Sequence, residues 1–177
     1  MLETERLLLR RWRSTDLASF AALNADAEVM AHFPATLSRA ESDAMVGRIE
    51  ATFESRGFGL WAVEVRDDAP FIGFVGITPV LAETHFTPAV EVGWRLARPY
   101  WGRGYAVEAA RAAIGFGFSE LGLREIVSFT VPANVRSRRV MERLGMTYDP
   151  ADNFDHPLLP MDNPLRRHVL YRLRRPS

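Results

Sequence analysis

The sequence predicts an α+β domain around one mixed sheet, and three observations carry that class. Short apolar runs that read as strands are interspersed with longer runs that repeat at helical spacing. Three of the strand-like runs follow one another directly: Leu60 to Arg66, Phe71 to Val80 and Ala89 to Leu96. Turn chemistry at Asp67-Asp68-Ala69-Pro70 separates the first two, as in an antiparallel meander. A helix and a further strand, Glu125 to Val131, come next, and a strand–helix–strand unit of this kind makes its two strands parallel. The expected order is β-α-α-β-β-β-α-β-α-β, in a single domain spanning 1–177.

Each element has a local reason. Arg6 to Arg11 (RLLLRR) is a short apolar run between charges, suited to a strand. Ser14-Thr15-Asp16 then offers a cap for a helix whose Leu17, Phe20, Ala21 and Leu23 share one face. Pro34 breaks the chain. Ser38 with Glu41 three residues on is a capping box, opening a second helix to about Glu54 that Arg56-Gly57 ends. Ala106, Ala109, Ala110, Ala113 and Phe116 line one side of a helix from about Tyr105 to Leu121, closed by Gly122. Asn134 to Leu144 reads as another helix, stopped by Gly145. Met146 to Tyr148 is a short extended piece and His168 to Leu173 a last strand. The Pro- and Asp-rich stretch from Asp149 to Pro164 fits no regular element.

Composition narrows the function classes. The 177 residues hold 47% hydrophobic and 25% charged side chains, ordinary for a globular protein with a real core. Lys plus Arg equals Asp plus Glu at 22 each, so no net field calls for nucleic acid or membrane, and neither is expected as a partner. The basic end (Arg166, Arg167, Arg172, Arg174, Arg175) reads as a solvated strand edge. No cysteine is present, which excludes disulfides, thiolate catalysis and Cys-ligated metals, and fits a cytoplasmic protein. Asp152, Asp155, His156 and His168 match no zinc spacing, so no metal is expected. No stretch is long and apolar enough for a membrane span. A homodimer is left open.

The chemistry starts at Arg98 to Ala106 (RPYWGRGYA). Gly102 and Gly104 let the backbone turn sharply and bring its N–H groups close to a ligand. The helix that begins there aims its unpaired N–H groups and positive dipole end at the same point, and Arg103 adds a cation, so a phosphate is the natural guest. A P-loop requires Gly-Lys-Ser/Thr, and the chain has no lysine. A dinucleotide fingerprint requires a third glycine where Val107 stands, and an acid after a strand that here reads Phe129-Thr130-Val131. A turn capped by glycines for packing alone remains open on the loop's residues.

The loop resembles the coenzyme A pyrophosphate loop of the GNAT-type N-acetyltransferases. Trp101-Gly102-Arg103-Gly104-Tyr105-Ala106 fits that pattern with Trp101 in place of the more frequent Gln or Arg. This departure, together with Thr4 to Arg10 (TERLLLR), is similar to the branch containing the ribosomal-protein N-terminal (Rim-type) acetyltransferases. The likeness runs from residue 4 to about 148. It implies a GNAT fold, a sheet splayed between its fourth and fifth strands (89–96 and 125–131), a β-bulge in the fourth, and acetyl-CoA as co-substrate. It also implies pantetheine contacts from the Trp94 and Leu96 backbone and from Asn134. Ser137 would lie near the thioester sulfur and in the helix Asn134 to Leu144, which lacks the Tyr proton donor of other relatives.

Alternation sets Val90, Val92, Trp94 and Leu96 on one side of their strand and Glu91, Gly93 and Arg95 on the other. A carboxylate in a central strand is costly to bury without a purpose or a partner. Two readings stand: Glu91 is the catalytic base, directly or through water, or it pairs with Arg95 or another arginine. By resemblance the acceptor pocket is lined by Phe33, His85, Phe86, Phe154 and His156. The expected activity is direct acetyl transfer to a primary amine, on a protein N-terminus or a small molecule. The alternative is a non-catalytic acyl-CoA-binding regulatory module with the same fold.

Overall fold

The computed structural model describes residues 1–176. Strand β1 (Leu2–Glu3) pairs with β2 (Leu7–Arg10), and helices α1 (Asp16–Ala25) and α2 (Arg39–Arg56) follow. The meander β3 (Leu60–Val65), β4 (Ala69–Pro79) and β5 (Val90–Leu96) then leads to α3 (Tyr105–Ser119) and β6 (Glu125–Thr130). The chain finishes through α4 (Val135–Arg143), β7 (Thr147–Tyr148), β8 (Phe154–Asp155) and β9 (Arg167–Arg174). The sheet order is β1-β2-β3-β4-β5-β6-β9-β7, with β8 on β9. All pairs are antiparallel except β5 and β6, the pair joined through α3.

The local signals act as expected. Ser38 and Glu41 form a reciprocal capping box at the start of α2, and Gly57 closes that helix in the left-handed region at φ 76°. Asn134 caps α4 by accepting a hydrogen bond from the Ser137 amide. The cap of α1 differs: no side chain of the Ser14-Thr15 pair bonds the helix, and Asp16 turns back to accept from the Arg13 amide. Within Asp149 to Pro164, β8 is ordered by pairing with β9, twelve or more residues away, and local composition carries no sign of it.

Two features of β5 position the site. First, β5 and β6 share a single register pair, Glu91 with Val127, and separate beyond it, while β5 stays paired with β4 from Val90 to Leu96 without a shift. The expected bulge in this strand is therefore absent from its pairing with β4; the irregular register lies between β3 and β4, where the step from Val63 to Val65 faces the longer step from Gly73 to Ala69. The divergence of β6 frees the strand's polar groups instead. Val80 N–H donates to Ala89 O at 2.9 Å and Ala97 N–H to Ile72 O at 2.8 Å, so the odd-numbered residues of β5 bond β4. By alternation the N–H and C=O groups of Trp94 and Leu96 face the opening gap. Second, Val92 and Leu96 are buried with Ala109, Ala110 and Ala113 of α3, which sends Glu91, Gly93 and Arg95 to the opposite face.

Candidate functional site

The gap between β5 and β6 opens into a cleft of about 1010 Å³. At one end Gly102 and Gly104 adopt φ 75° and 82°, values that other residues reach only with strain, and Gly104 is the N-cap of α3. Having no side chain, it leaves the first N–H groups of α3 without a side-chain cap. The loop is braced from two directions. The Trp101 indole N–H donates to the Leu96 carbonyl at 2.7 Å, with the Arg98 and Arg136 guanidinium groups 5.0 and 4.6 Å from the ring. Arg6 donates to the Arg103 carbonyl at 3.1 Å and forks onto Glu108 of the first turn of α3, which also accepts from Thr4 at 2.6 Å. Burial pushes the Glu108 carboxyl up, yet the Thr4 and Arg6 bonds outweigh it and hold it below its ordinary value.

The second cluster lies on the other wall. Asn134 Oδ1 accepts from the Ser137 amide at 3.2 Å while its Nδ2 donates to Thr130 Oγ1 at 3.0 Å, leaving one amide hydrogen uncommitted. The Trp94 indole N–H donates to Ser137 Oγ at 3.3 Å, so the hydroxyl proton is free to donate elsewhere. Arg139 lines the cleft, whereas Arg138 is turned to Tyr171 and the Pro132 carbonyl.

Glu91 lines the cleft where the strands part. No described residue bonds or pairs with it, and burial alone pushes its carboxyl up to about 8. The ion pair with Arg95 does not form. Arg95, 9% exposed, instead donates from Nη1 to Asn24 Oδ1 at 2.7 Å, and its guanidinium lies 4.1 Å from the Phe33 ring centre and 5.4 Å from that of Phe74. Burial lowers its pKa to about 10, so it is still a cation at neutral pH. Gly93 sits between the two: a Cβ there would meet only Glu91 Oε1, at 3.8 Å, so the absent side chain leaves room.

Of the residues expected to line an acceptor pocket, Phe33 and His156 are on the cleft wall. Phe154 is not; 7% exposed, it is buried with Val127 and Leu170, with Phe86 packed against that cluster. His85 is turned outward to Asp152, at 3.3 Å. Sequence reasoning missed several wall residues, among them Arg95 as a lining group and His168. Alternation did place Arg95 beside Glu91, but His168 carried no local signal. Burial holds both His156 and His168 below their ordinary values, which keeps them neutral near pH 7. His168 Nδ1 must donate to the Arg166 carbonyl, 3.0 Å away, which fixes its tautomer. Among the described residues no group of three or more His, Asp and Glu side chains is placed to hold a metal, and no helix is long and apolar enough to cross a membrane.

Comparison with known proteins agrees with this architecture. The model of the acetyltransferase (GNAT) domain matches residues 6–147. The uncharacterized protein YkkB of Bacillus subtilis (strain 168) is 33% identical over 148 residues, 83% of this chain and 85% of its own length. An acetyltransferase from Agrobacterium tumefaciens str. C58 superposes with a TM-score of 0.79 at 29% identity, over 98% of this chain and 94% of that one. The fold is shared with a putative ribosomal-protein-serine acetyltransferase from Vibrio cholerae, at a TM-score of 0.79 and 20% identity over 98% and 97% of the two chains.

Proposed function

Since the chain belongs to the GNAT acetyltransferase family and is an acetyl-CoA-dependent acyltransferase, we propose that it moves the acetyl group directly onto a primary amine, with Glu91 as the base. One observation carries the reading: a carboxylate without a partner stands on the wall of a cleft that opens where β5 and β6 separate, and the same cleft holds a helix start whose N–H groups no side chain caps. The backbone from Gly102 to Ala106 would take the pyrophosphate, with Arg103 adding charge. Pantetheine would run along β5 as an added strand, using the Trp94 groups and the Leu96 N–H, since the Leu96 carbonyl is already bonded to Trp101. Asn134 keeps one amide hydrogen for the same arm.

An acceptor ammonium must lose a proton before it attacks. An alkylammonium has a pKa of about 10, so a carboxylate near 8 is a far better acceptor for that proton than one near 4.5. Ser137, its oxygen already accepting from Trp94, directs its hydroxyl proton to the leaving sulfur. The acceptor, a protein N-terminus or a small molecule, enters past Phe33 and His156.

Glu91→Gln tests the assignment. The parent rate should rise with pH and level off above about 8, as the carboxylate becomes charged. The variant should lose that rise and roughly 10²- to 10⁴-fold in rate while calorimetry shows coenzyme A bound as before. A full rate would remove Glu91 as base. Amine-dependent release of free thiol from acetyl-CoA separates an enzyme from a non-catalytic acyl-CoA-binding module.

A further inference from the structure

Arg95 is unusual for a buried cation. Its only hydrogen-bond acceptor among the described residues is the neutral Asn24 amide oxygen, and Asn24 is itself fully buried and bonded to Ser42. Nε is sealed from solvent and bonded to nothing. Nη2 has no protein partner either, but it is not sealed off, so it is the part of the fork offered to the cleft that Arg95 lines. The Phe33 and Phe74 rings supply cation–π attraction, yet they do not use up the in-plane N–H donors. A guanidinium removed from water with unused donors is costly, and the open Nη2 donors of a cation suit a carboxylate.

Its placement says which ligand. Arg95 leaves β5 on the face of Glu91, with the room above Gly93 between them, and the loop proposed for the pyrophosphate is a different part of the cleft wall, at Gly102 to Ala106. An acceptor lying along this face would present its amine to Glu91 and its far end to Arg95. We infer that the acceptor is an amine that also carries a carboxylate, held through the free Nη2 of the Arg95 guanidinium beneath Phe33. The inference rests on the acetyl-transfer reading above and names its substrate class. The same cation repels polyamines, whose far end is positive.

The test uses ω-amino acids, H₂N–(CH₂)n–COOH with n from one to five, each against its primary amide. Binding is measured by calorimetry on the protein saturated with coenzyme A, and turnover by thiol release from acetyl-CoA. The carboxylates should exceed their amides by roughly ten- to hundredfold in affinity and in kcat/KM for the best-fitting length, as a charge-assisted bond to a buried fork would give. Arg95→Gln should bring the ratio close to one while coenzyme A affinity is unchanged, and Arg95→Lys should restore part of it. Because the ratio is internal to each variant, a general loss of activity does not mimic the result. Equal binding of acid and amide by the parent, or a ratio that survives Arg95→Gln, would overturn the inference. Carboxylate-dependent binding without any thiol release would keep Arg95 as a carboxylate site but overturn the inference that its ligand is the acetyl acceptor, and thiol release with other amines would then show that the acetyl-transfer reading itself stands.

Discussion

Arg10 and Arg95 are both strand arginines and both buried, 4% and 9% exposed, yet they are held in opposite ways. Arg10 forks onto Asp16 at 2.8 and 2.9 Å, reaches Glu64 at 2.9 Å, and gives its remaining donors to the Arg11 and Pro70 carbonyls. Asp16 raises its pKa above the ordinary value, more than burial lowers it. Arg95 has one neutral acceptor, two aromatic rings and an orphan Nε, and burial lowers its pKa to about 10. A buried cation whose every donor is matched ties α1 to the sheet. One whose donors are unmatched at the wall of a cleft is poised for something outside the chain.

The largest expected effect tests the matched arginine. Asp16→Asn keeps the shape but removes the charge opposite the Arg10 fork, and should cost about 3–5 kcal/mol in urea unfolding at pH 7, with the slope unchanged. A loss below about 1 kcal/mol would mean that the pair is solvated after all. Arg95→Met is the matching experiment. It removes an uncompensated buried cation but leaves Asn24 Oδ1 without a donor and gives up the ring contacts, so the terms offset. Stability should stay within about 1 kcal/mol of the parent. A loss as large as that of Asp16→Asn would make Arg95 a structural residue like Arg10 and erase the contrast.

The same contrast marks what the sequence could show. The Ser38 and Asn134 caps, the glycine stops and the turn in RPYWGRGYA depend on residues three or four apart, and they were legible, as was the splay that the family resemblance implied. The Ser14-Thr15 cap was not borne out. Alternation put Glu91 and Arg95 on one face, but whether they pair depends on Asn24 and Phe33, residues 71 and 62 positions away from Arg95. No spacing rule covers such distances. Within the irregular stretch after Tyr148, Phe154 and Asp155 are ordered by pairing with β9, and Phe154 is buried there. The bulge expected in β5 was carried over from resemblance, and here the departure of β6 does that work.

The smallest effect concerns a partly exposed ion pair that supports the loop. Thr4 and Arg6 reach Glu108 across more than a hundred residues, and Arg6 also holds the Arg103 carbonyl. This gives the N-terminal TERL segment a physical role as a brace for the Gly102–Gly104 turn. Glu108→Gln weakens the fork and removes a negative charge from the first turn of α3, where it favours the helix dipole. Stability should fall by only about 0.5–1 kcal/mol, because the Arg6 side chain is 45% exposed. The carboxyl is held below its ordinary value, so the parent's advantage is present at neutral pH and disappears as pH falls through the depressed value. The sharper readout is kinetic. If the brace positions the loop, KM for acetyl-CoA should rise a few-fold at pH 7 while kcat stays near the parent value, since Glu108 bonds Thr4 and Arg6 and makes no bond to Glu91. A fall in kcat with KM unchanged would detach Glu108 from the loop and leave it as a helix-start charge only.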